Sequence, residues 1–86
     1  MTFIQCWKEL AEKGLVLLKK NEFGEYGVNF NYELGIGREK WLETEYNSDD
    51  FHDCFSTGLD MWKRNNVLCL ERGFPVGTSP FLMEAK

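Results

Sequence analysis

Apolar and polar positions alternate most cleanly between Tyr26 and Leu34, where Tyr26, Val28, Phe30, Tyr32 and Leu34 are separated by Gly27, Asn29, Asn31 and Glu33. A period of two sends the two sets to opposite faces, which predicts a half-buried strand. Upstream the period changes. Phe3, Cys6, Trp7, Leu10 and Gly14 recur at three- and four-residue spacing, the signature of one helix face, and predict a helix over 3–13. Thr2 and Gln5 have the spacing of a capping box at its start, and Gly14 suits its end. Leu15–Lys20 then predicts a short strand, and Asn21-Glu22-Phe23-Gly24 a turn.

After a second turn at Gly35-Ile36-Gly37-Arg38, alternation resumes over 39–46 and predicts a third strand. Leu42, Thr44 and Tyr46 would face inward, with Trp41, Glu43 and Glu45 outward. Asn47-Ser48-Asp49-Asp50 supplies a helix cap with acids in the first turn. Phe51, Cys54, Phe55, Gly58, Leu59 and Trp62 continue as an amphipathic stripe. Lys63 and Arg64 suit its C-terminal end, Asn65-Asn66 reads as a break, and Val67–Leu70 as a fourth, buried strand. Beyond Gly73, Pro75 and Pro80 argue against a long helix or a central strand. The sum is an α+β fold: helix, three-stranded antiparallel meander, helix, fourth strand and extended tail, with the helices on one face of the sheet. Residues 1–72 form one domain, and 73–86 a tail packed on it or on a partner.

Charge changes the picture more than size does. The 86 residues carry a net −4, and 43% of them are hydrophobic, enough for a compact core. The negative charge is concentrated in residues 41–62, which hold six acids and no Lys or Arg, whereas residues 1–40 are balanced. Direct nucleic-acid binding needs the opposite sign and is not expected. The N-terminus lacks the basic and apolar regions of a signal peptide, and Leu15–Leu18 is too short to span a membrane. Three widely spaced cysteines give no disulfide framework, so a reducing, cytoplasmic setting is expected.

With the third strand in that register, Glu39, Trp41, Glu43 and Glu45 share an outer sheet face with Glu25 and Glu33 of the neighbouring strand, and the second helix adds Asp49, Asp50, Asp53 and Asp60. Such a plate, with Trp41 as its aromatic anchor, would dock on an Arg/Lys-rich protein surface. The plainer reading is that Asp49 and Asp50 complement a helix N-terminus and that the other acids solvate a face. No catalytic set is expected. His52 and Cys54 lie about 200° apart around a helix and cannot pair there, and His52-x-Cys54 lacks the spacing of a metal site. Gly35-x-Gly37 joins two strands and is no nucleotide fingerprint. Neither cofactor nor metal is expected. The residues thus favour a non-enzymatic acidic binding protein, monomeric or homodimeric. The alternative is a small oligomeric accessory protein that uses apolar surface and its tail.

The meander Glu25–Tyr46, and the run from Trp41 to Phe51 in which an acidic strand leads into a capped helix, resemble small acidic phage proteins that inhibit CRISPR effectors. That resemblance implies an inhibitor whose carboxylates imitate DNA phosphates and occupy the basic nucleic-acid channel of a CRISPR effector in the host cytoplasm. Bacterial immunity proteins and small secretion chaperones share the acidic character and the helices on a meander.

Overall fold

A computed structural model describes residues 1–31 and 38–84 of the chain. Helix α1 (Phe3–Glu12) leads into strand β1 (Leu15–Lys19), which turns back into β2 (Tyr26–Phe30). Helix α2 (Arg38–Thr44) and a short β3 (Tyr46–Ser48) follow, then the long α3 (Phe51–Arg72) and a terminal turn of helix, α4 (Pro80–Glu84). The sheet is antiparallel in the order β1-β2-β3. Leu15 pairs with Phe30 and Lys19 with Tyr26, while Val28 pairs with Tyr46. The α+β class and the three-stranded meander are those the sequence implies.

Local chemistry explains the elements that match. Thr2 Oγ1 accepts from the Gln5 amide at 3.2 Å, and Gln5 Oε1 accepts from the Thr2 amide at 2.8 Å, closing the capping box of α1. Asp50 caps α3 by accepting from the His52 amide at 2.9 Å. Alternation in β1 and β2 sends Leu15, Leu17 and Val28 to one face, where they meet Cys6 and Leu10 of α1 and Cys54 of α3. The rings of Phe3, Tyr26 and Phe51 close one end of this core, with centroids 5.6–5.7 Å apart. Gly58 lets α3 approach closely: a Cβ there would lie 3.0 Å from Leu10 and 3.1 Å from Val28.

Two expected strands are helical. The segment assigned to a third strand is mostly α2, with only Tyr46–Ser48 in the sheet. Arg, Glu, Lys and Leu at 38–43 are good helix formers, and Trp41, Thr44 and Glu45 fall on one helical face as readily as Trp41, Glu43 and Glu45 fall on one strand face. Consequently the helices do not share one face: α1 and α3 cover the first, and α2 lies across the second. The expected fourth strand, Val67–Leu70, belongs to α3, which runs unbroken for 22 residues. Asn65 and Asn66 do not break it, because they serve the tail. Asn65 Nδ2 donates to the Thr78 carbonyl at 2.8 Å, and Asn66 Oδ1 accepts from the Gly77 amide at 3.2 Å. The helix stops at Gly73, whose left-handed φ of 76° allows the Phe74 amide to reach back to the Cys69 carbonyl at 2.8 Å.

The C-terminal segment returns to the body of the protein. Pro80 occupies the first position of α4, where its missing N–H costs nothing, and Phe81 and Met83 are buried. Glu84 meets Lys40 of α2 at 3.0 Å. The ends of the expected second strand, Tyr32 and Leu34, and the Gly35–Gly37 turn lie outside the described residues. Among the described residues, no helix is long and apolar enough to cross a membrane. The tight seat of Gly58 sets the first prediction. Gly58→Val should force α3 off Leu10 and Val28 and lower stability by about 1–3 kcal/mol, read as a lower urea midpoint at unchanged slope.

Candidate functional site

The second face of the sheet is where the expected acidic plate would have been, and α2 covers its β2 side. Trp41 is only 7% exposed, and its Nε1–H donates to the Phe30 carbonyl at 2.7 Å. Asn29, buried on the same face, donates through Nδ2 to the Trp41 carbonyl at 2.8 Å and to Thr44 Oγ1 at 2.9 Å. Trp41 is therefore a core residue of the α2 face and not an outward anchor. The strand register that placed it outside does not exist.

Glu45 is corrected in the same way. Its side chain is 1% exposed and lies over Gly27, where an added Cβ would meet Oε2 at 2.7 Å. Oε1 takes the ammonium of Lys20, which also donates to Asn47 Oδ1 at 3.1 Å. The carboxylate is neutralised by a lysine beneath α2 and contributes no outward field. Glu39 and Glu43 stay exposed on the outer side of α2, and Asp60 on the outer side of α3. The sheet separates these two groups, so they form no common surface. Glu33 lies outside the described residues.

What remains together is smaller and sits at one end of the molecule. Glu25 immediately precedes β2, and Asp49, Asp50 and Asp53 surround the junction of β3 with α3. The turn between β1 and β2 brings Glu22 and Phe23 to the same end. Asn21 Oδ1 organises this turn by accepting from the amides of Phe23 and Glu25 at 2.9 and 3.3 Å, while its Nδ2 donates to Glu25 Oε2 at 2.9 Å. The geometry points the Phe23 ring into solvent at 93% exposure. Beside it lies a shallow depression of about 380 Å³ lined by Asn21, Phe23, Glu25, Asn47, Ser48 and Asp49. The sequence carried this signal unread: an aromatic residue inside a four-residue turn between two strands has no core position to occupy.

Some acids at this end also serve the fold. Asp50 caps α3, and its Oδ1 lies 3.6 Å from His52 Nδ1. Asp53 accepts from the Tyr46 hydroxyl at 2.6 Å. That bond, aided by Ser48, holds the Asp53 carboxyl below its ordinary range and raises the Tyr46 phenol. Glu22, Glu25 and Asp49 make no ion pair with a cationic side chain among the described residues.

His52 Nε2 lies 2.9 Å from the Met1 carbonyl, on the exposed side of α3. The thiols of Cys6, Cys54 and Cys69 are free and buried. Burial, then the nearby Asp53 carboxylate, pushes Cys54 up to about 11, so it is a neutral thiol at physiological pH. Among the described residues, no three His, Cys, Asp or Glu side chains gather as a metal ion would require. No family model, curated protein or solved structure matches the chain.

Two expectations follow. Lys20→Met should leave the Glu45 carboxylate buried without its partner and cost about 1–3 kcal/mol in chemical denaturation, while Lys20→Met with Glu45→Leu should recover most of that loss. A thiol reagent at pH 8 should label none of the three cysteines in the native protein and all of them in urea. Rapid native labelling of Cys54 would contradict its burial.

Proposed function

We propose that this protein is a non-enzymatic binding protein whose acidic end, built around Phe23, docks on a basic surface of a partner protein and inhibits it by occupation. The observation that carries the reading is the 93% exposure of Phe23 beside Glu22, Glu25 and Asp49. An aromatic side chain held out by a hydrogen-bonded turn presents a large apolar area at little further entropic cost, and aromatics are enriched in the cores of protein interfaces. The carboxylates around it select a partner rich in arginine and lysine and raise the rate of encounter. Nucleic-acid-binding proteins carry surfaces of that kind, a CRISPR effector's channel among them. The role expected for Trp41 in the sequence thus passes to Phe23, and the plate expected on the sheet contracts to one end of the molecule.

Wild-type protein, Phe23→Ala, and Glu25→Lys with Asp49→Lys are each immobilised and exposed to the same cell lysate, with bound proteins identified by mass spectrometry. The wild type should retain a basic protein that both variants lose, and its retention should fall as salt rises. Affinity for that protein should fall by about 2 kcal/mol, roughly thirtyfold, in Phe23→Ala. Equal capture by all three proteins, or capture that is indifferent to salt, would contradict the assignment.

A further inference from the structure

The sheet ends at β1, and among the described residues no strand pairs with its outer edge. The bonds at its two ends fix which backbone groups face that edge. The Asn31 amide donates to the Gly14 carbonyl, and the Lys20 amide to the Glu25 carbonyl, both at 2.8 Å. Bonded and non-bonded pairs alternate along an antiparallel ladder, so Val16 and Leu18 turn their N–H and C=O groups toward β2. Leu15, Leu17 and Lys19 turn theirs outward. Natural edges are usually guarded by charge, proline or a bulge. β1 carries one charge, Lys19 at its end, and Leu15-Val16-Leu17-Leu18 before it has no charge, proline or bulge.

Both layers beside this edge expose apolar side chains, with Lys19 and Lys20 also lining the second face. In the helix layer, α1 packs on β1 and against α3. Its flank toward α3 carries Lys13, whose ammonium lies 5.2 Å from the Trp62 ring centroid. The opposite flank, on the side of the open edge, carries Ile4, Trp7 and Ala11 at helical spacing, with Ile4 62% and Trp7 44% exposed. On the other sheet face, Leu18 and Leu42 are also exposed, beside Val16 and Trp41. A free edge with apolar surface above and below it is what a continued sheet would cover.

We propose that the occupant is a second copy of this chain, paired β1 to β1 about a two-fold axis at Leu17 to give a continuous six-stranded sheet. The register matches itself. With Leu17 opposite Leu17, the outward groups of Leu15 bond those of Lys19 in the other copy, and Val16 lies opposite Leu18. Charge favours the same arrangement. The acidic end lies just beyond Lys19, so antiparallel pairing sends the two acidic ends to opposite extremes of the dimer, whereas parallel pairing would bring them together. Both Phe23 surfaces stay open, which leaves this inference independent of the proposed function.

Light scattering across a dilution series, with amide exchange followed by NMR, tests it on the full chain. At high concentration the mass should be twice 10.1 kDa, and the amides of Leu15, Leu17 and Lys19 should exchange slowly. On dilution the mass should halve and those three amides should lose protection, while Val16 and Leu18 stay protected within the monomer. Ile4→Lys with Leu18→Lys changes exposed side chains only, and should give a folded 10.1 kDa monomer under the same conditions. A monomer at every concentration would overturn the proposal. So would a dimer that survives this double variant, or one in which the three edge amides exchange freely.

Discussion

The Asn29 side chain spans the space between the central strand and α2. It donates to the Trp41 carbonyl and the Thr44 hydroxyl while its oxygen accepts from the Phe30 amide at 2.8 Å. A buried amide is tolerated only when its groups are met, and here meeting them requires a helix at that place. With Trp41 returning a bond to Phe30, strand and helix are tied in both directions. Val28 faces α1 and α3, and the next residue faces α2, so β2 is buried on both sides. Two features follow from that enclosure: the β2 part of the second face is covered, and Glu45 is buried there with Lys20 as its partner.

Much of this was legible in the sequence, and the limits have physical causes. The capping box at Thr2, the alternation through Tyr26–Phe30 and the stripe from Phe51 to Trp62 each depend on local spacing, and local spacing is what a sequence displays directly. The α2 segment failed because over seven residues a period of two and a period of 3.6 select overlapping sets; Trp41 and Glu45 share a face in either. Val67–Leu70 failed because a short apolar run fits a buried strand or a helix equally, and the tail that Asn65 and Asn66 bind lies more than ten residues downstream. Neither partner is visible from its own neighbourhood.

For the candidate site, acidity was legible and its arrangement was not. Glu25, Asp49, Asp50 and Asp53 gather at one end, yet Glu39, Glu43 and Asp60 point elsewhere, and Glu45 is neutralised beneath α2. One wrong secondary-structure assignment moved an indole from surface to core and dissolved the plate built around it. The aromatic residue left among carboxylates is Phe23, in a turn whose sequence announced the turn but not its use. The open edge of β1 belongs to the same logic, since enclosing the central strand on both sides leaves the outer edge of β1 unpaired among the described residues.

Exchange of the tryptophan indole protons measures the enclosure by α2 most directly, because Trp7 provides an exposed control within the same molecule. In the folded protein in water, the Trp41 Nε1–H, bonded to the Phe30 carbonyl, should exchange far more slowly than that of Trp7 and show cross-relaxation to Phe30. Equal exchange of the two indoles would place Trp41 on the surface, restore the acidic sheet face and contradict the structure described.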